Sequence, residues 1–554
     1  MKKMILTMLA ASAMCLAAVA QEDYPWIWNR NPEFKVIVDT SNEPIAPGPF
    51  EPTVEGLSGY ECPEWFRDAK FGIWAHWGPQ CQPEDGDWYG RYMYMQGNSR
   101  YKYNIDTRDH PSRFGFKDWI HEWKAENWDP EALVNLYKET GAKYFMAMAN
   151  HHDNFDLYAS RYQAWNSTAL GPCRDIVGEW EKACRKAGLR FGVSVHAAHA
   201  WTWYETSRGS DTAGPLAGVP YDGVLTKEDG AGTWWEGLDP QDLYEQRHEL
   251  SPDSWAWEWQ EGKVTTPDQA YCDRIYNRTV QLIADYGPDV VYLDDTYVPL
   301  WPISDAGLKI VADAYNRSAA ANGGNPQIVM TGKILSDWQK QTLVWDVEMG
   351  VPDDIQPLPW QTCTCLGHWH YDKHRYYDDK YKSSAAVIWM LADVVSKNGN
   401  LLLSVPLKGD GTLDPTEQRI VAEIGNWMGI NGESIYGTRP WKVFGEGPLA
   451  VKSEGVADYG VSAKAKPQPG AADMRFAVKG DKTLYVTVFG LPQTETVIES
   501  LGRKTGLDRR RIRRISMLGS GEKVSWSRDD SGLHIAAPQA MPAPEALVYK
   551  IEFR

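Results

Sequence analysis

From Trp128 to about Leu343 the chain alternates amphipathic runs at helical spacing with short apolar runs, and a glycine marks each junction. Asp129-Pro130 opens a helix whose Leu133, Leu136 and Tyr137 share a face; Gly141 closes it, and Lys143–Ala149 reads as a buried strand. Ile176, Val177, Trp180, Ala183 and Ala187 form the next apolar stripe, stopped by Gly188 before the strand Arg190–Val195. A third unit runs from Asp273 through Ile275, Leu282 and Ile283 to Gly287-Pro288, then into the strand Val290–Asp294. A fourth passes Ile310 and Ala314 to Gly323-Gly324 and the strand Gln327–Met330. Helices alternating with wholly apolar strands predict a parallel sheet, and this many units predict an α/β fold closed as a (β/α)8-like TIM barrel.

Between Trp203 and about Pro267 the pattern dissolves into Gly, Asp, Trp and Glu. The break follows a strand, on the side where barrel enzymes build their sites. From Gly437 helical spacing ends, and alternating segments such as Thr483–Phe489 predict a small C-terminal β-sandwich. At the other end, Lys2 and Lys3 precede an apolar run from Met4 to Val19 and the small-x-small Ala18–Ala20. That is the form of a signal peptide cut after Ala20, implying export to the periplasm or cell exterior. The expected organisation is a signal peptide over 1–20, a Pro-rich extended segment over 21–60, a catalytic barrel over 61–436 and a β-sandwich over 437–554. No later run approaches the roughly 20 apolar residues of a membrane span, so none is expected.

Composition narrows the partners. A net charge of −17 repels nucleic acid, which is excluded as a partner. The basic run Arg503–Arg514 opposes this trend and reads as a solvated face of the C-terminal domain. Of the eight cysteines, Cys15 falls in the leader, and the others are too scattered for a disulfide framework. Cys363-Thr364-Cys365 resembles half a metal site without its other half. The 27 tryptophans, many beside His, Asp or Glu, suit sugar binding, since aromatic faces cover C–H surfaces while polar neighbours bind hydroxyls.

Reactive side chains gather at the strand ends. One strand ends in His76-Trp77, another in His151-His152-Asp153, a third in His196 and a fourth in Asp294-Asp295. Four such endings point to one mouth of the barrel.

The same motifs carry a family likeness. Glu64–Gly78, with Phe71-Gly-Ile-Trp-Ala-His76-Trp77-Gly78 at its end, closely resembles the first barrel strand of the α-L-fucosidases of glycoside hydrolase family 29. His151-His152-Asp153 followed by Phe155 is similar to that family's HHDGF motif, with Asn154 in place of glycine. Ser396–Leu403 and Asn431–Trp441 resemble two further family signatures, and the likeness extends from about residue 60 to 445. It implies exo-acting, retaining hydrolysis of terminal α-L-fucosyl linkages, with a fucosylated oligosaccharide or glycoconjugate as substrate and neither cofactor nor metal.

The likeness makes Asp294, in the aromatic-x-Asp ending Tyr292-Leu293-Asp294, the nucleophile. Strand alternation places Tyr292 and Asp294 on one side, Leu293 and Asp295 on the other. Glu348 is the chosen acid/base, with Asp346, Glu236 and Glu258 as alternatives. His76, His151 and His152 match hydroxyl-binding positions, Trp88 an aromatic of the sugar pocket, and Asp87 a position usually held by Glu. Three further departures stand out: Asn154, His196 where tyrosines are usual nearby, and Lys333 near an expected Arg. A Lys lacks the two-pronged fork of Arg. Two other readings fit the fold: an α-L-galactosidase, whose substrate carries a hydroxyl in place of the C6 methyl, and a non-catalytic carbohydrate-binding protein. Three histidines at strand ends also suit a catalytic zinc, but the likeness assigns them to sugar.

Overall fold

A computed structural model describes residues 25–450, 456–458 and 469–554; the signal peptide expected over 1–20 lies outside them. Eight parallel strands close into a barrel in chain order: β1 (Phe71–Ala75), β2 (Tyr144–Met148), β3 (Arg190–Val195), β4 (Val290–Leu293), β5 (Val329–Gly332), β6 (Val344–Glu348), β7 (Trp360–Cys365) and β8 (Gly399–Ser404). Closure comes from β1, which pairs β2 on one side and β8 on the other. Every residue of β1, β2, β4 and β8 is buried, as expected of strands covered on both faces.

The helices follow the caps written in the sequence. Asp129 accepts from Ala132 N at the start of α1 (Pro130–Glu139), whose first residue is proline. The helix α2 (Ile176–Ala187) ends on Gly188 at φ 75°, and α3 (Gln269–Tyr286) ends on Gly287 at φ 52°. The amphipathic α4 (Ala306–Ala321) and α6 (Pro415–Asn431) and the more apolar α5 (Ser384–Ser396) lie in the outer layer.

Two findings differ from the pattern reading. The strand expected over Gln327–Met330 lies at Val329–Gly332, because the amides of Gln327 and Ile328 are taken by Ser318 Oγ at 2.8 and 3.1 Å. The strands β6 and β7 carry Trp345, Asp346, Gln361, Thr362 and Thr364 among their apolar residues, so they show no apolar run.

Residues from 34 to 50 run across α4 and its approach. Val38 N reaches Asp305 Oδ1 at 3.0 Å, Ala46 N reaches Asp313 Oδ1 at 2.8 Å, and Phe50 N reaches Asn316 Oδ1 at 2.9 Å. The excursion after β3 folds into short turns around buried Asp222, which accepts from Tyr94 and Tyr244 at 2.7 Å and pairs with Lys117 at 3.2 Å.

Beyond the barrel, antiparallel strands form a five-stranded sheet and a three-stranded one, with Phe476, Leu484, Val486, Ile498, Leu533 and Ile551 packed in one apolar core. Trp389 and Trp427 donate from α5 and α6 to the carbonyls of Glu545 and Ala546 at 2.8 and 2.9 Å, and buried Asp393 joins Lys397 to Arg475. The basic run lies on and before the edge strand Ile512–Met517, where a register shift leaves Arg513 and Arg514 both exposed. Among the described residues, no helix is long and apolar enough to cross a membrane.

Candidate active site

The ends of β1 to β7 meet over the barrel axis. Asp294 follows β4, with its amide held by Val195 O at 3.0 Å and its side chain nine-tenths buried. Three cationic or imidazole groups surround its carboxylate. Lys333 Nζ donates to Oδ1 at 2.6 Å, while His196 Nδ1 and His152 Nε2 lie 2.9 and 3.3 Å from Oδ2. Burial alone would raise this carboxyl, but Lys333 foremost, then His196 and His152, hold it well below the usual carboxylate range.

Lys333, just past β5, also places its Nζ 2.6 Å from Glu348 Oε2 at the end of β6. One ammonium therefore joins both carboxylates, and those two oxygens can be no more than about 5.2 Å apart, twice 2.6 Å. Against the cost of burial, Asp294 and Glu348 raise the Lys333 pKa, fixing it as a cation. Glu348 remains one-third exposed at the end of β6.

Two of the other acid candidates, Asp346 and Glu236, lie elsewhere. Asp346 points among β-strand side chains, accepting from Gln361 Nε2 at 2.7 Å and Cys363 Sγ at 3.0 Å, and burial pushes it up to about 7. Glu236 accepts from Gly232 N at 3.2 Å within the exposed excursion. Cys363 also faces the Tyr292 hydroxyl at 3.6 Å, and the seven described cysteines are all free.

A cluster of imidazoles lines the remaining wall. His76 lies 5.2 Å from His151, 5.1 Å from His196 and 4.7 Å from His370, measured between ring centroids. Burial, followed by the neighbouring imidazoles, pushes His76 and His151 well below the ordinary histidine value. Burial also lowers His152 and takes His196 down to about 4, with Asp294 opposing it in both. Neutral rings each offer one donor and one acceptor. Neither ring nitrogen of His76 or of His196 has a well-aligned hydrogen bond within the protein. Gln80 contacts His151 Nδ1 at 2.8 Å, and His152 Nδ1 faces His196 O at 2.9 Å.

Asp87 and Trp88 enter from the loop after β1. Asp87 Oδ1 meets His370 Nδ1 at 2.5 Å; burial would raise this carboxyl, yet the His370 bond holds it below the usual range. Trp88, at φ 58°, stands edge-on to His152 with centroids 5.8 Å apart and nearly parallel to Trp255 and Trp257 of the excursion. Tyr292 packs on Trp74 at 4.8 Å, and Trp74 lies 5.6 Å from Trp369. The structure thus gathers Asp294, Glu348, His76, Asp87, Trp88, His151, His152 and Tyr292 into one site.

Sequence reasoning left out His370, Trp369 and Trp257, gave His196 no role, and read Lys333 only as standing in for an expected Arg. The run His368-Trp369-His370 repeats the pairing of aromatic and imidazole in Trp74-Ala75-His76, a signal that could have been read. Ligand-type atoms of His76, Asp87, His151 and His370, and of His151, His152 and His196, lie within 4.8 Å of one another in each group. These sets have the chemistry to hold a transition metal. In both, however, part of the donor set is already committed to Gln80, His196 O or the Asp87–His370 pair.

Asn154, which departs from the likeness, has a clear local reason. It sits at φ 62°, where glycine or asparagine is favoured. Its Nδ2 donates to the carbonyls of Asp242 and Leu243 at 3.1 and 3.0 Å, tying the excursion to the end of β2. Its Oδ1 accepts from Arg278 at 2.6 Å, and Arg278 pairs with buried Asp156 at 2.7 Å.

Comparison with known proteins gives a consistent picture. A family model described as α-L-fucosidase matches residues 37–433. Tissue α-L-fucosidase of Mus musculus is 26% identical over 520 residues, spanning 92% of this chain and 94% of its own, and the Homo sapiens protein is 26% identical over 512 residues, spanning 90% of each. The α-fucosidase of Thermotoga maritima, solved with a mechanism-based inhibitor, superposes with a TM-score of 0.65 at 24% identity, covering 91% of this chain and 100% of that one.

Proposed function

The chain belongs to the α-L-fucosidase family, and from that premise we propose that it is an exported, exo-acting α-L-fucosidase working by double displacement with retention. The observation that carries the reading is the shared Lys333, which keeps an oxygen of Asp294 within about 5.2 Å of one of Glu348. Retaining glycosidases keep their two carboxyl groups roughly 5–5.5 Å apart, while inverting ones leave roughly 6.5–9.5 Å for a water.

In this reading the Asp294 carboxylate attacks the anomeric carbon while Glu348 gives its proton to the departing oxygen. A covalent glycosyl-enzyme forms on Asp294; Glu348 then takes a proton from water, which displaces Asp294 from the opposite face. The strongly depressed pKa keeps Asp294 anionic and so nucleophilic. His76 offers two unpartnered neutral ring nitrogens to sugar hydroxyls and His196 its Nε2, while His151 and His152 are held by Gln80, His196 O and Asp294. The apolar faces of Trp74, Tyr292 and Trp369 supply a wall suited to a C6 methyl. Trp255 and Trp257, carried by the excursion, border the leaving-group side. Export rests on the leader-like residues 1–20.

The test is hydrolysis of an aryl α-L-fucoside by the wild type, Asp294→Ala and Glu348→Ala, with and without azide. The wild type should turn over with retention. Asp294→Ala should be inactive but form the inverted fucosyl azide, and Glu348→Ala should be rescued by azide with retained configuration. Turnover of only an aryl α-L-galactoside would replace the substrate assignment. No turnover of either would indicate a binding protein.

A further inference from the structure

His370 lies on the loop after β7 and is completely buried. Its Nδ1 meets Asp87 Oδ1 at 2.5 Å, while its Nε2 is buried without a hydrogen-bond partner. The ring stands at 88° to His76 and 89° to His151, with centroids 4.7 Å away in each case. His76, whose two ring nitrogens also lack partners, faces the same spot, and ligand-type atoms of His76, Asp87, His151 and His370 converge within 4.8 Å of one another.

The hydrogen-bond chemistry fixes the roles within the pair. An ionised carboxylate only accepts, so the proton between Asp87 and His370 sits on Nδ1. With its one proton on Nδ1, the ring presents Nε2 as an acceptor. A buried acceptor left without a donor is costly, and a sugar hydroxyl in the pocket provides one. Asp87, with its side chain turned to His370, acts behind the ring. The shorter Asp at a position where the likeness leads one to expect Glu is thereby explained: the imidazole spans the distance that the longer side chain would cover.

Resting on the fucosidase reading above, we propose that His370 Nε2 accepts a hydrogen bond from one ring hydroxyl of the bound sugar, and that Asp87 is the positioning residue that fixes its tautomer. His370 is therefore a specificity-determining residue that demands a hydroxyl proton at one position of the sugar ring.

The test crosses protein variants with substrate analogues. Wild type and His370→Asn would be assayed on an aryl α-L-fucoside and on its monodeoxy and deoxyfluoro analogues. Asparagine retains an amide nitrogen near Nδ1 to bond Asp87 but removes Nε2, so it disturbs the fold least. For the wild type, kcat/KM should fall about 100-fold at one deoxy position beyond the loss in His370→Asn, since the ratio between proteins cancels the intrinsic reactivity of each analogue. The deoxyfluoro analogue at that position accepts but cannot donate, so it should be as poor as the deoxy one. His370→Gln, whose amide oxygen can stand near Nε2, should recover most of the discrimination. Asp87→Asn should weaken it while the bound sugar remains detectable by tryptophan fluorescence.

Equal loss on every analogue, with His370→Gln no better than His370→Asn, would overturn the assignment and leave His370 a packing residue. A fluoro analogue that matches the parent would also overturn it, by showing that His370 donates. Failure of the fucosidase reading is separately visible, because wild type would then not hydrolyse the parent fucoside.

Discussion

Replacing Lys333 with methionine keeps the side-chain stem and removes the charge that joins the two carboxylates. In the wild type, burial works to raise the Asp294 pKa and Lys333 is the leading influence lowering it. An opposite charge at such range moves a carboxylate by about 1–3 pKa units, each unit being about 1.4 kcal/mol. With Nζ only 2.6 Å from Oδ1 in a buried site, the Asp294 carboxyl is expected to rise when the charge goes. His196 and His152 still face Oδ2, so the carboxyl does not lose all its support. The direction is upward: a carboxyl held low is ionised further into the acid range, and removing the cation makes it protonate sooner. The acid limb of the kcat/KM profile, which reports the free enzyme, should therefore move to higher pH in Lys333→Met. Lys333→Arg, which keeps the charge but not the single-nitrogen bridge, should leave the limb near its wild-type position while lowering kcat. Stopped-assay rates on an aryl α-L-fucoside across pH 3–9 would measure both. An acid limb that stays put in Lys333→Met, with unchanged kcat/KM, would refute the claim that Lys333 sets the nucleophile.

The other predictions concern stability and the division of labour. His196 is buried with its pKa taken down to about 4 from an ordinary 6.5, so the unfolded chain binds the proton first. Its neutral form is fully accommodated above pH 6.5, and stability should be lost as pH falls through that window toward 4, by about 3 kcal/mol for this residue. Thermal scans should show a steep drop there that is shallower in His196→Asn; parallel curves would count against it. Asp346→Asn should retain most activity and show no azide rescue, whereas Glu348→Gln should lose about 10²–10⁴-fold; the reverse outcome would move the acid/base role to Asp346. Asn154→Gly keeps the backbone turn but removes the ties to Asp242, Leu243 and Arg278, so limited proteolysis should cut within 203–267 sooner than in wild type. An unchanged cleavage rate would mean the excursion is held by its other contacts.

The barrel was legible where both of its periodicities were strong. Tyr137, Val177, Ile283 and Ile310 mark buried helix faces beside runs such as Val290–Leu293, and these elements formed where expected. The strands β6 and β7 were hidden because barrel interiors also take polar side chains when partners are present: Gln361 bonds Asp346, and Thr362 bonds Val347 O at 2.8 Å. Site residues at strand ends were legible for the same reason as the strands, since alternation aims them. His370 and Trp257 were not, because each sits on a loop whose position depends on closure of the whole barrel. Lys333 could be named from sequence, but its place between two carboxylates is a matter of distance that chain spacing does not contain.

Asn154 gives the long excursion a dependence that reaches beyond its own length. One side chain at the mouth of β2 helps fasten the 65 residues 203–267 of inserted chain to the rim, so insertion and fastener form one transferable module. Moving residues 203–267 onto a related barrel whose motif keeps glycine would deliver the tryptophans without their anchor. The graft would carry altered leaving-group preference only if asparagine, with Arg278 and Asp156 behind it, travelled too.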